Sequence, residues 1–394
     1  METSDQDKPK AARELGGVVT DAALEALRAK IGMVMTSSHT PYLTQTNCDS
    51  VRHWAEGIGD INPLWVDAEQ GKNNPWGKPL ATPTILYAFD KLAIGYRGGL
   101  PGIHAMFGGS DWRWLRPIGW DEKLHAIVTF KDLIEHPSRF AGRSFQQISE
   151  IRFDTDQGET VAVADAWGFR TERNAAAKKG KYAKVSVTSY SAQELEAITE
   201  RYQREFIRGA DTLFVEDVTV GGDIADIIRG PYTVTTAIAF EQGWGGLFIK
   251  AHGQSMDYYR RHPKAGILND FGVPEPPEAV HWDSDLARRV GVPAAYDYGP
   301  ERIAWLGTLI TNWIGDAGFM QRLHVQVRNH NIIGDLTTCR ASISNIDNEN
   351  GKGEVSLDVQ AINQHGTVTA RGEAVVRLPS RSAGTTRARL PIDD

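Results

Sequence analysis

Two stretches of the chain place apolar residues at helical spacing just behind a proline, and each is followed by runs in which apolar and polar residues alternate. In the first, Thr82 precedes Pro83, and Ile85, Leu86, Phe89 and Leu92 predict a helix over 83–93, proline being favoured in a first turn where no N–H is needed. In the second, Ile303, Leu306, Leu309, Ile310, Trp313 and Ile314 cover so much of Pro300–Ile314 that the helix must be largely buried. Strands are predicted at 125–130, 146–153 and 160–170 after the first, and at 323–328, 337–344, 355–362 and 367–377 after the second. Asp156-Gln157-Gly158 and Asn363-Gln364-His365-Gly366 supply hairpin turns ending in glycine.

The two stretches belong to a longer repeat. Trp65-Val66-Asp67 maps onto His281-Trp282-Asp283 (281 − 65 = 216), Gly77 onto Gly291 (291 − 77 = 214) and Pro83 onto Pro300 (300 − 83 = 217). Gly119 then maps onto Gly334 (334 − 119 = 215) and Gly158 onto Gly366 (366 − 158 = 208). Five landmarks in one order, with an offset drifting by less than a short loop, favour duplication over two unrelated α+β domains. The expected architecture is a buried helix wrapped by an antiparallel sheet, twice over.

The expected organisation is a polar, disordered tail over 1–17, a first unit over 18–175, and a linker with a connecting helix over 176–210. A second unit follows over 211–379 with an insertion at 246–280, and then a tail over 380–394. The connecting helix opens at Ser191 with Glu194 three residues on, the spacing of a capping box.

Composition narrows the function. The chain has 394 residues, 43 Lys and Arg against 50 Asp and Glu, and a net charge of -7, a balance that argues against a nucleic-acid partner. Its two cysteines, Cys48 and Cys339, fit neither a disulfide framework nor a zinc site, and no histidine pair has metal-ligand spacing; no metal is expected. The N-terminus lacks an apolar signal-like core and no window approaches a membrane span, so a cytoplasmic location without a membrane partner is expected. The glycine-rich runs 98–102 and 243–246 match neither dinucleotide nor P-loop patterns, and no G-x-S-x-G elbow is present.

The run from Gly57 through Gly59-Asp60-Ile61-Asn62-Pro63-Leu64-Trp65-Val66-Asp67 resembles the hydratase motif of the MaoC-like, R-specific enoyl-CoA hydratases, in which Gly-Asp-x-Asn-Pro-Leu-His-x-Asp carries a catalytic Asp and His. Here Trp65 stands in place of that His. The stretch from Val280 through His281-Trp282-Asp283 to Ala287 is similar to the back of the motif with its His present, but its front is missing; 246–280 intervene after the Gly243-Trp244-Gly245 turn. Val215 to Asp223 is similar to the strand that opens many MaoC domains, and the first half resembles FAS1-like dehydratase N-domains, whose site is commonly degenerate. The resemblance covers roughly 20–378. It implies an α+β, double hotdog fold with two long central helices each wrapped by an antiparallel β-sheet, and a substrate tunnel between the halves. It also implies an acyl thioester of coenzyme A or acyl carrier protein, coenzyme A entering only as part of the substrate and no other cofactor being needed. Assembly as a homo-oligomer, a dimer for instance, or as a heteromer with another hotdog subunit is expected.

Four residues are candidates for catalysis: His281, Asp60, Asn62 and Asp283. His281 reads as a general acid/base, or as a histidine capping or packing beside Trp282. Asp60 reads as a catalytic carboxylate or a turn residue whose side chain caps local N–H groups, with Asn62 holding that loop closed in either case. Asp283 reads as a carboxylate or a helix N-cap. The resemblance implies that Asp and His of one site come from one loop, placing Asp60 and His281 at opposite ends of the pseudo-dimer unless the insertion has remodelled the interface. His281 then needs another carboxylate, and Asp270, Glu275 and Glu278 of the insertion are candidates. Tyr298 and Gly299 are candidates for binding substrate, because the backbone N–H groups opening the second helix suit a developing oxyanion and glycine admits close approach. Trp112, Trp114 and Trp120 either line a pocket for a bulky acyl group or fill a core, and Arg139, Arg143, Arg322 and Arg328 either receive coenzyme A phosphates or are solvated.

These residues suit an acyl-thioester hydro-lyase of fatty-acid type: reversible addition of water to a 2-enoyl-CoA, giving a 3-hydroxyacyl-CoA, possible with a bulky acyl group. Two alternatives stand beside it, a hotdog acyl-CoA thioesterase and a non-catalytic acyl-binding or heteromer subunit.

Overall fold

The computed structural model describes residues 19–36, 40–90, 100, 103–137, 143–171, 186–246, 249–263 and 265–393. The expected tail at 1–17, the basic stretch inside the linker and Arg139 lie outside the described residues, apart from the linker's end.

The first half opens with α1 (Asp21–Arg28), α2 (Cys48–Ile58), α3 (Pro63–Val66) and α4 (Ala68–Lys72), then a 3₁₀ run, Pro83–Ala88, and strands β1 (His104–Trp114), β2 (Leu124–Pro137), β3 (Arg143–Thr155) and β4 (Thr160–Thr171). Helix α5 (Ala192–Gln203) leads to the second half, where β5 (Ile227–Arg229), α6 (Val234–Trp244) and α7 (His252–Arg261) precede a small hairpin, β6 (Ile267–Leu268) and β7 (Pro274–Glu275). A 3₁₀ turn, Pro277–His281, then leads to α8 (Ser284–Arg289), α9 (Gly299–Ile314), β8 (Phe319–Val327), β9 (Thr337–Asp347), β10 (Glu354–Asn363) and β11 (Val368–Arg377).

The two halves share one nine-stranded antiparallel sheet in the order β2-β3-β4-β1-β8-β11-β10-β9-β5. The seam is β1 against β8, from Gly109 opposite Gln326 to Arg113 opposite Arg322. Outward from it, four strands of each half follow in the same order, the arrangement of a double hotdog. The repeat landmarks keep the same structural jobs: Asp67 and Asp283 each cap a short helix with the side chain, and Pro83 and Pro300 each sit in a first turn. Helices α2 and α6 cross at glycines, where a Cβ on Gly57 would lie 3.0 Å from the Ala239 carbonyl oxygen and one on Gly243 2.6 Å from that of His53.

Every residue of α9 from Pro300 to Ile314 is buried. Burial of Ile303, Leu306, Leu309, Ile310 and Trp313 contributes roughly 10 kcal/mol gross, at about 2 kcal/mol each. The first half differs from the expectation of a second long helix. Its counterpart is wound as 3₁₀ over Pro83–Ala88, and residues 91–99 lie outside those described. Proline and the β-branched Thr84 and Ile85 favour the α-helix weakly, while tertiary bonds hold the run in place. The Tyr87 hydroxyl lies 2.7 Å from Ser110 Oγ and accepts from Trp112 Nε1 at 2.9 Å, and Thr84 Oγ1 accepts from Trp54 Nε1 at 3.2 Å. Trp112 and Trp114 stack at 5.6 Å inside this core, with Phe153 beyond, so the tryptophan cluster fills space rather than lining a wide pocket.

Ser191 caps α5 through the expected box, its N–H donating to Glu194 Oε2 at 2.7 Å. The segment after 379, expected to be a tail, is docked instead. Ser380 Oγ donates to Glu216 Oε1 at 2.7 Å, Ala388 N–H to the Ala317 carbonyl at 2.8 Å, and the Arg387 guanidinium lies 4.7 Å from the Trp76 ring. Specific polar partners fix this segment where hydropathy gave no sign of burial. Among the described residues no helix is long and apolar enough to cross a membrane.

Candidate active site

A cavity of about 590 Å³ lies between the halves. The first half supplies Ile103, Ala105 and Phe107 at the start of β1 and Phe169 at the end of β4; the second supplies Glu278, His281 and the loop from Tyr296 to Pro300.

His281 ends the 3₁₀ turn Pro277–His281. Its Nδ1 lies 2.7 Å from the Tyr296 carbonyl oxygen, so Nδ1 carries the hydrogen and donates, which leaves Nε2 as the acceptor. The ring stacks on Tyr298 at 3.8 Å between centroids and meets Tyr296 edge-on at 4.6 Å. Burial pulls the imidazole down to about 3, the Tyr296 carbonyl opposing this and His330 adding to it, so the ring is neutral at cellular pH. His281 therefore faces the interface cavity and does not merely pack beside Trp282.

Glu278 lies three residues earlier on the same turn, is 5% exposed and lines the same cavity. Side chains at i and i+3 eclipse one another in 3₁₀ geometry, so the carboxyl and the imidazole share one face. By the repeat offset Glu278 occupies the position of Asn62 (278 − 62 = 216). Burial pushes the phenol of Tyr259 on α7 up to about 12. The insertion brings α7 up to the carboxyl.

Tyr298 and Gly299 open α9 at the cavity wall. The first-turn N–H of Gly299 has no intrahelical acceptor. A Cβ there would lie 2.2 Å from Phe107 Cδ1, so only glycine lets the β1 ring and the helix start meet. The Tyr298 ring lies 5.0 Å from Phe240 and 5.3 Å from Trp244, which fixes the plane on which His281 rests.

The remaining candidates stand elsewhere. Asp60 and Asn62 are buried behind α9: Asp60 accepts from Asn62 N–H at 3.0 Å and from Thr308 Oγ1 at 3.0 Å, and Asn62 Nδ2 donates to Asn312 Oδ1 at 3.0 Å. Burial raises Asp60, against the Asn62 N–H and the Arg229 charge. Neither lines the His281 cavity, so the insertion does not bring Asp60 to the imidazole. Asp283 accepts from the N–H groups of Asp285 at 2.8 Å and Leu286 at 3.1 Å, which makes it an N-cap and corrects its catalytic reading. Asp270 pairs with Arg289, and Glu275 Oε1 accepts from Asn269 Nδ2 at 3.0 Å.

At the repeat-equivalent position in the first half, Trp65 borders a hollow of only about 40 Å³ with Trp76, Trp114, Phe319 and Met320. The His281 position thus borders a wide cavity, and the repeat-equivalent Trp65 position a small hollow lined by indoles. Sequence reasoning missed Asp297 and Arg302, a buried pair beside the cavity. Arg302 Nε donates to Asp297 at 2.8 Å, and its Nη1 bonds the Asn329 and Thr369 carbonyls at 2.6 Å and 2.7 Å. An arginine inside so apolar a helix was the available signal. Among the described residues no group of three or more His, Cys, Asp and Glu could hold a metal ion.

Comparison with known proteins bears on the fold. Residues 31–163 match the model of the FAS1-like dehydratase domain region. A protein of Streptomyces griseus designated UPF0336 is 28% identical over 123 residues, 29% of this chain and 77% of that protein. A structure named MaoC-like dehydratase superposes with a TM-score of 0.62 at 17% identity, covering 90% of this chain and 99% of the other. A Mycobacterium tuberculosis protein described as having a double hotdog fold superposes at 0.50 with 12% identity, covering 88% and 96%. The chain has the double hotdog fold, and its residues 31–163 are similar to the FAS1-like dehydratase domain region.

Proposed function

We propose that the protein is an acyl-thioester hydratase/dehydratase, adding water reversibly across a 2-enoyl thioester to give the 3-hydroxyacyl thioester. The observation that carries this reading is the neutral imidazole of His281, its Nδ1–H bonded at 2.7 Å to the Tyr296 carbonyl, sharing an apolar cavity with Glu278 and a helix N-terminus.

Burial holds the His281 imidazole neutral at rest, and the reaction as proposed starts from a protonated Glu278 carboxyl. His281 Nε2 accepts from a water placed over C3 and takes its proton as the C3–O bond forms. Electron density moves onto the thioester oxygen, which the Gly299 N–H and the positive end of α9 hold. The Glu278 carboxyl delivers its proton to C2. The resulting imidazolium and carboxylate face each other on one turn, and transfer from Nε2 back to Glu278 restores the resting state. Dehydration is the same sequence reversed. With the first-half hollow filled by Trp65, one site per chain does the work.

The test is turnover of a 2-enoyl-CoA, followed as loss of the conjugated enoyl absorbance and by mass as gain of one water. His281→Ala and Glu278→Gln should each lower kcat by about 10²–10⁴-fold, the range expected for losing a proton-transfer group. Release of free thiol from the wild type, without a hydrated product, would instead identify a thioesterase. Binding without either reaction would leave an acyl-binding subunit.

A further inference from the structure

The buried ion pair beside the His281 cavity is more than the fold requires. Asp297 and Arg302 are each 1% exposed. Arg302 Nε donates to Asp297 Oδ2 at 2.8 Å, its Nη2 donates to Oδ1 of the same carboxylate, and Asn331 Nδ2 donates to Oδ2 at 3.1 Å. A pair of this kind gains little over well-packed apolar residues, because both charges must be stripped of water. The other half manages with apolar residues at these places. Ala81 N–H bonds the Ile118 carbonyl at 2.9 Å, as Asp297 N–H bonds that of Asn331 at 2.9 Å. Ile85 and Leu86 stand at the repeat offset from Arg302 (302 − 85 = 217, 302 − 86 = 216). All three are buried, and they belong to the half whose hollow is small.

What the pair holds is the segment that carries the partners of His281. Side chains alternate along extended backbone. The rings of Tyr296 and Tyr298 flank the imidazole, the Tyr296 carbonyl takes its Nδ1–H, and the Asp297 carboxylate between them goes to Arg302. Arg302 Nη1 also reaches the carbonyls of Asn329 at 2.6 Å and Thr369 at 2.7 Å. One guanidinium thus ties 296–298, the loop after β8 and the start of β11 to the first turns of α9. His330 of that loop lines the same cavity, and its ring meets Tyr296 edge-on at 4.7 Å.

We infer that Asp297 and Arg302 are positioning residues for the reaction at His281: their pair keeps the Tyr296 carbonyl on Nδ1, which fixes the tautomer and leaves Nε2 as the acceptor. What Nε2 then does rests on the hydratase reading. Burial rather than the charge of the pair holds the imidazole neutral, so the pair acts through geometry.

Nitrogen-15 NMR of the histidine-labelled protein at neutral pH reads the tautomer without any turnover, with His281→Ala assigning the signal. The wild type should carry its hydrogen on Nδ1. Asp297→Leu/Arg302→Met removes both charges together and leaves neither buried alone, so it should fold. Its His281 should lose the single Nδ1–H form and show a mixture of tautomers. Turnover of a 2-enoyl-CoA by this variant should fall about 10–100-fold in kcat, as for lost support of a reacting group, with KM little changed. Arg302→Lys keeps a charge for Asp297 but cannot reach both carbonyls, and should show the same changes in smaller measure. Asp60→Ala, which loses buried bonds behind α9, should alter neither readout. An Nε2–H tautomer in the wild type overturns the inference. So does an unchanged His281 signal in the double variant, or in Arg302→Lys should the double variant not fold, and so does a fall in kcat no larger than that of Asp60→Ala. Absence of turnover by the wild type, with the tautomer still lost in the variants, would sink the hydratase reading alone and leave the positioning of the imidazole standing.

Discussion

Asp60→Ala separates structural from catalytic carboxylates. Asp60 is 3% exposed, with Oδ1 accepting from Asn62 N–H and Oδ2 from Thr308 Oγ1, both at 3.0 Å. Truncation leaves two buried donors without their acceptor, at about 1–3 kcal/mol each, although Thr308 can turn to the carbonyl four residues back on α9. The expected loss is about 2–4 kcal/mol. With roughly 2.1 cal/mol/K per residue, a cooperative transition of this chain would shift by about 2–5 °C. Thermal and urea unfolding followed by tryptophan fluorescence reads the loss. Hydration of an enoyl thioester by the folded variant should stay within about twofold of wild type, because Asp60 lies behind α9 rather than in the His281 cavity. Asp60→Asn supplies a second arm. Folding raises the Asp60 pKa, so its favourable contribution is complete below the unfolded value and fades as pH rises through the folded one. The asparagine variant should therefore lose that part of the stability change above about pH 4. Collapse of turnover with unfolding unchanged would refute the assignment of Asp60 as a latch and restore it as a catalytic group.

Further outcomes follow from the same geometry. Because His281 is held neutral down to about 3, kcat/KM should show no fall from pH 8 to pH 5 attributable to the imidazole, and an inflection near 6.5 would contradict its burial. Gly299→Ala drives a methyl against Phe107, 2.2 Å from Cδ1; it should cost about 1–3 kcal/mol of stability and lower kcat about a hundredfold, read by unfolding and steady-state kinetics. Trp65→Ala should destabilise by about 3–5 kcal/mol in urea unfolding and leave turnover by the His281 site intact, since Trp65 fills the other hollow.

Much of the fold was legible because it is written twice. Proline in the first turn, the capping aspartates and the hairpin glycines recur in the same order at offsets of 208 to 217, and strand alternation needs no tertiary knowledge. What escaped depended on partners distant in sequence. Nothing local in Pro83–Ala88 announces that Trp54, Ser110 and Trp112 will hold it as 3₁₀. Ser380 and Arg387 read as solvent-loving until Glu216 and Trp76 come to meet them. Of the residues lining the candidate cavity, His281, Tyr298 and Gly299 were named from motif and helix start, and Glu278 among several acids. Only the 3₁₀ turn distinguishes it from Asp270 and Glu275. Asp60 and Asn62 carry the more complete motif yet stand away from the open cavity, bonded to Thr308 and Asn312 of α9, partners some 250 residues away in sequence.

The most direct measurement is a crystal structure with a slowly reacting 2-enoyl thioester analogue bound. The account requires one ligand per chain, with the thioester oxygen within hydrogen-bond distance of Gly299 N–H and C3 facing His281 Nε2. An analogue seated against Trp65, or one with its acyl carbons out of reach of both His281 and Glu278, would contradict it.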